Sequence, residues 1–150
     1  MPTHTFSDQG LALTKSFEGL RLNPYQDSGG VWTIGYGHTG PEVRAGLSTT
    51  TEQADALLRN DVAAAVACVN RALRIPVEQH QFDALVDFCF NTGCGNFLGS
   101  TLLRAVNAND FAAAGAQFGL WVHAGGAVIP GLVRRRAAEA AMFAGHPPVF

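Results

Sequence analysis

The chain has 150 residues, 47% of them hydrophobic, and a formal net charge of −2. That is enough apolar material for one domain with a sizeable core, and an acidic balance without a basic block excludes nucleic-acid binding as the main function. No run approaches the ~18 apolar residues of a helical membrane span, which excludes that class as well.

Ser7 and Asp8, followed by Gln9 to Phe17, predict a short capped helix. Gly19 is its natural stop, because glycine accepts the left-handed conformation beyond a helix end. Glu18 is then a C-terminal residue of that helix. The helix dipole is negative there and disfavours an ionised carboxylate, so Glu18 is set to keep a proton, as a general acid must. Arg21 to Gln26 and Val31 to Tyr36 flank Asp27-Ser28-Gly29-Gly30, the pattern of a β-hairpin with Asp27 at the mouth of its turn and Thr33 on the returning strand. Taken alone, Asp before Ser-Gly-Gly is a turn former and Glu before Gly a common helix end. If the helix end packs beside the hairpin, Glu18, Asp27 and Thr33 converge as one acid, one carboxylate and one hydroxyl able to hold a water. That is the equipment for hydrolysing a glycosidic bond.

Gly35, Gly37, Gly40 and Pro41 are expected to break regular structure, with residues 42–47 as a connector. Thr49 and Glu52 form a capping-box pattern, and Ala54, Leu57, Leu58, Val62, Ala65, Val66, Val69 and Leu73 then follow the helical period until shortly before Pro76. In Val77 to Phe90, the residues Phe82, Leu85, Val86 and Cys89 form the stripe of a core-facing helix, which ends at Asn91-Thr92-Gly93. A short segment runs from Phe97 to Val106, and Asn109-Asp110 starts a helix through Phe118 and Trp121. His123 to Gly126 reads as a glycine-rich loop. Pro130-Gly131 opens the last helix, Leu132 to Phe143, which Gly145, Pro147 and Pro148 cannot continue. Arg134 to Arg136 spread over ~200° of helix, so one of them is expected to turn inward.

Cys68, Cys89 and Cys94 show no zinc-ligand spacing, and their odd number argues against a disulfide framework; they are expected as free, largely buried thiols. The first eight residues carry neither a basic nor an apolar signal region, so the chain is expected to be made and kept in the cytosol.

The combination of Phe-Glu-Gly around Glu18, Asp27, Thr33 and the run Thr-Ile-Gly-Tyr-Gly-His ending at His38 closely resembles the active-site signature of the phage-type lysozymes, glycoside hydrolase family 24. The C-terminal succession Trp121, Gly131-Leu132, Arg135-Arg136, Glu139 and Phe143 resembles that family too. The resemblance implies an α+β, lysozyme-like fold: an N-terminal helix and β lobe (1–48), a linking helix (49–75) and a helical lobe (76–150), with a cleft between the lobes. It implies Glu18, Asp27 and Thr33 as catalytic residues, and Thr39, Phe90, Asn91 and Ser100 as substrate-facing ones. It further implies a His38–Asp61 pair that raises the histidine pKa, and an Arg135 that reaches Glu18 to fix its rotamer.

The activity implied is hydrolysis, with inversion, of the linkage between N-acetylmuramic acid and N-acetylglucosamine in peptidoglycan, without metal or cofactor. Such an endolysin is expected to act as a monomer that waits in the host cytoplasm until a holin permeabilises the membrane and then attacks the cell wall. Thr39, where several relatives carry an apolar residue, and Gly115, where some carry a polar one, depart from the pattern. These departures bear on subsite preference and leave the catalytic assignment intact. A lytic transglycosylase would need a Glu but no partner such as Asp27 or Thr33. A non-catalytic wall-binding module would be free to lose all three, and a DNA-binding regulator would rest only on the arginine run.

Overall fold

Helix α1 spans Asp8–Glu18, and both of its ends follow from local chemistry. The Ser7 hydroxyl accepts the Gly10 N–H at 3.2 Å as an N-cap. Gly19 adopts φ +73 and returns its own N–H to the Lys15 carbonyl at 3.0 Å. The structure, a computed structural model, describes residues 3–146, so Pro147 and Pro148 lie outside the described residues. Within it the chain divides into two units, Thr14–Ala63 and the combination of Met1–Leu13 with Ala64–Phe150.

The Thr14–Ala63 unit holds the end of α1, a three-stranded antiparallel sheet and the first part of α2. Strands β1 (Arg21–Gln26) and β2 (Trp32–Gly35) form the expected hairpin, with Tyr25 opposite Thr33 and Gln26 opposite Trp32. A third strand, β3 (His38–Thr39), falls where the glycines predict irregular structure; it pairs with β2, Thr33 to Thr39 and Ile34 to His38. Gly35 (φ +66) and Gly37 (φ +79) allow this tight return. Helix α2 (Thr51–Ala72) starts one residue later than the Thr49/Glu52 pattern suggests. Its capping box is Thr50 with Gln53: Thr50 Oγ1 accepts from Gln53 N at 3.1 Å, and Gln53 Oε1 accepts from Thr50 N at 3.0 Å. Ile34, Val43, Ala54, Leu58 and Val62 are buried in this unit. A Cβ added at Gly35 would touch Ala54 at 3.4 Å, so the sheet lies close against α2.

The other unit is organised around α3 (Gln79–Thr92), which is buried continuously from Gln81 to Cys89. Its burial extends well beyond the apolar stripe, because Gln81, Asp83 and Asp87 are covered as well. Phe88 stands at its centre, with edge-on contacts to the rings of Phe97, Phe118 and Trp121. Each ring removed from water contributes roughly 1.5–3 kcal/mol. Helices α4 (Cys94–Leu98) and α5 (Thr101–Asn107) replace the single segment expected from Phe97 to Val106, and Ser100 breaks it by capping α5. Asp110 caps α6 (Phe111–Gln117) by accepting from Ala113 N at 3.1 Å, and a 3₁₀ turn, Phe118–Leu120, continues it. The expected loop at His123 to Gly126 is a small hairpin, β4 (His123–Ala124) with β5 (Ala127–Val128), turned at Gly125 and Gly126 with φ +59 and +81. Helix α7 (Pro130–Phe143) closes the described chain.

The cysteines depart most from expectation. Cys68 and Cys94 form a disulfide, and only Cys89 is a free thiol among the described residues. Burial pushes that thiol up to about 11.

Candidate active site

Glu18, Asp27, Thr33, His38, Thr39 and Asp61 all belong to the Thr14–Ala63 unit. Glu18, the last residue of α1, is half-buried, and its Oε2 lies beside Gly37 in the turn between β2 and β3: a Cβ there would come within 3.2 Å of it. The helix end therefore packs against the sheet, the condition under which the three oxygen-bearing side chains can converge.

Asp27 holds its turn together. Its Oδ1 accepts the N–H of Gly29 at 2.8 Å and of Val31 at 2.9 Å, while its own N–H donates to the Val31 carbonyl at 2.9 Å. The turn-forming and chemical readings of this aspartate are thus compatible, because one oxygen grips the backbone and the residue is exposed. Thr33 is 4% exposed, and its hydroxyl donates to the Val31 carbonyl at 3.0 Å, which leaves its oxygen an acceptor. Asp27 follows the last residue of β1, and Thr33 lies on β2 opposite Tyr25, so the two residues flank the same turn of the hairpin. Thr39 stands opposite Thr33 on β3 and is exposed.

His38 donates from Nδ1 to Asp61 Oδ2 at 2.8 Å and from Nε2 to Glu42 Oε1 at 2.6 Å. Glu42 is a second partner that the sequence pattern does not single out. Burial alone would lower the pKa of His38, but hydrogen bonds to Glu42 and Asp61 together outweigh it and hold the imidazole above 6.5. With a carboxylate at each nitrogen, the doubly protonated ring satisfies both.

The remaining residues of interest lie in the other unit. Two arginines of the run turn inward, against an expectation of one: Arg135 is 5% exposed and Arg136 1%. Arg135 makes a two-point bond to Asp87, Nε to Oδ2 and Nη2 to Oδ1, both at 2.9 Å. Arg136 donates from Nη2 to Glu139 Oε2 at 2.9 Å and to Asn91 Oδ1 at 2.8 Å, and its guanidinium lies over the Phe88 ring. Its Nε approaches Glu139 Oε1 to 2.6 Å without the alignment of a hydrogen bond. Burial first, and then a hydrogen bond to Asp87, push Glu139 well above the usual carboxylate range against the pull of both guanidiniums. Asn91 is thus tied to α7 through its amide oxygen, and Phe90 beside it is half-buried.

Ser100 does not suit the substrate-facing role. It is 3% exposed, and its hydroxyl donates to the Phe97 carbonyl at 2.7 Å and accepts from Leu103 N at 3.0 Å. A hydroxyl engaged in this way is a helix cap and offers nothing to a sugar.

Comparison with known proteins identifies the family. The sequence pattern of the family described as phage lysozyme matches residues 15–139. An endolysin of Acyrthosiphon pisum secondary endosymbiont phage 1 is 43% identical over 141 residues, covering 91% of this chain and 96% of that one. An endolysin of Bacillus phage PZA is 46% identical over 144 residues, covering 95% of this chain and 56% of that longer protein. A crystal structure of a P22 lysozyme mutant superposes with a TM-score of 0.88 at 38% identity, covering 94% of this chain and 99% of that one. The chain therefore belongs to the phage lysozyme family and is a glycoside hydrolase, a lysozyme of the endolysin kind.

Proposed function

We propose that this lysozyme cleaves the linkage between N-acetylmuramic acid and N-acetylglucosamine by single displacement, with Glu18 as general acid and Asp27 and Thr33 holding the attacking water. The observation that carries this reading is that Glu18, Asp27 and Thr33 share one unit, in which the end of α1 packs against the sheet that holds the hairpin. Thr33 donates its hydroxyl proton to the Val31 carbonyl, so its oxygen receives a hydrogen from the water; Asp27 receives the other. The water then turns a lone pair to the anomeric carbon while Glu18 protonates the departing oxygen, and Asp27 takes up the proton released by the attack. Inversion of configuration follows.

Thr39, Phe90 and Asn91 would contact the sugar chain, and Arg135 would fix the rotamer of Glu18. No helix among the described residues is long and apolar enough to cross a membrane, and a holin is the proposed route to the wall. In this proposal the enzyme acts as a monomer after a cytoplasmic stage.

The test is digestion of purified peptidoglycan, followed by mass spectrometry and proton NMR of the fresh reducing ends. Products heavier by one water with α-configured ends are expected. Anhydro-sugar ends would point to a transglycosylase, and β-configured ends to retention. For access to the wall, expression of the chain alone should leave cells intact until the membrane is disrupted chemically. Spontaneous lysis would overturn the holin requirement.

A further inference from the structure

The Sγ atoms of Cys68, Cys89 and Cys94 all lie within 4.8 Å of one another. They come from three helices, α2, α3 and α4, and neither the glycosidase chemistry nor the pairing of Cys68 with Cys94 accounts for the third sulfur. Cys89 is a buried thiol in contact range of a disulfide, and Cys94, only partly buried, gives the cluster an opening to solvent.

We propose that the reduced form of this cluster is a three-thiolate site for a soft divalent cation of the zinc and cadmium class. The geometry needs little change. Zn–S bonds of about 2.3 Å set the sulfurs of a shared ion roughly 4 Å apart, within the spread already present. Cys68 and Cys94 must separate by that amount once their bond is broken, and the 6.2 Å between their Cα atoms permits it by rotation about the side-chain bonds. Soft thiolates prefer such ions to magnesium or calcium. Water entering beside Cys94 can complete a tetrahedral shell.

Both steps balance. A dithiol reductant gives two hydrogens to the Cys68–Cys94 bond and becomes a disulfide itself. The three thiols then release three protons as the cation binds, leaving a complex with one net negative charge. The two redox states thus fill one structural role by different means. Under oxidising conditions a covalent bond ties α2 to α4, and under reducing conditions the cation ties both to α3.

The experiment uses the full chain, reduced with a phosphine, and Cd2+ as the probe. Expected are one Cd2+ per chain with Kd below about 1 µM, a thiolate-to-cadmium absorption band in the ultraviolet and release of three protons. The oxidised chain should show no such band. Cys89→Ala, confirmed by circular dichroism to be folded in its oxidised form, should bind at least ~100-fold more weakly once reduced. Equal binding by the parent and Cys89→Ala would overturn the proposal, since two thiolates would then suffice. Absence of the band from the reduced parent, whether the chain is folded or unfolded, would overturn it too.

Discussion

The Asp61 carboxylate lies 2.8 Å from Nδ1 of His38 and ties strand β3 to helix α2. The charged imidazolium is the form this bond favours, so its contribution to stability has a definite sign. It is fully present below the unfolded value of about 6.5 and is lost as pH rises through the raised folded value. Asp61→Asn should cost about 1–2 kcal/mol at about pH 5.5 and progressively less in alkaline buffer. Urea melts of the two proteins across that range provide the measurement. A cost independent of pH, or an NMR titration of His38 at or below the unfolded value, would refute the pairing's role.

Glu18→Gln matches the acid in shape but cannot donate its proton. Lysis of permeabilised cells should fall by at least ~100-fold, with an unchanged circular dichroism spectrum. Asp27→Asn should fall comparably. Thr33→Val keeps the size of the side chain and removes the acceptor, so kcat should drop more than KM rises. An unchanged kcat for Thr33→Val would remove the threonine from the water site.

Gly37 tests the packing of the acid. A methyl group there meets Glu18 Oε2 at 3.2 Å and also strains a backbone at φ +79. Gly37→Ala should lose roughly 1 kcal/mol of stability and lower kcat about tenfold by shifting the carboxyl group. Full activity in a destabilised variant would show that Glu18 tolerates the intrusion.

The buried cluster of α3 and α7 separates two carboxyls of different kinds. Asp87→Asn removes the carboxylate that grips the Arg135 guanidinium at two points and should cost about 3–5 kcal/mol. Glu139 has its folded pKa raised, so in the parent stability declines as pH rises from about 4.3 towards that folded value. Glu139→Gln removes this decline, and its stability relative to the parent should improve with pH over that window. Parallel urea curves for parent and variant across pH would contradict the assignment.

Ser100→Ala should cost about 1 kcal/mol through loss of the α5 cap and leave KM for peptidoglycan unchanged. A rise in KM without loss of stability would return this serine to the substrate surface.

Local chemistry made much of this legible beforehand. Ser7, Gly19 and the turn after Asp27 act within a few residues of themselves, and the sequence displays such partners side by side. Two overlapping capping patterns at Thr49 and Thr50 differ by one residue, and only the path of the chain selects the second. Strands of two residues, such as β3 and β4, carry too little alternation to stand out from glycine-rich surroundings. The Cys68–Cys94 bond, the Glu42 partner of His38 and the Asp87–Arg135 pair depend on how elements pack. Reading α3 by its apolar stripe alone passes over Asp87, because a buried aspartate in such a stripe looks like a solvent-facing residue until its arginine is found.

The burial of α3 from Gln81 to Cys89 bears on the order in which the molecule comes apart. A helix with no wet face has no amide that water can reach by local fraying, so its N–H groups exchange with deuterium only when the surrounding body opens as a whole. Their exchange rates then report the global free energy of unfolding. The amides of β4 and β5, both exposed, exchange through small openings that leave the centre shut. The same burial means that the contacts of α3 are complete only when Phe97, Phe118 and Trp121 stand around Phe88.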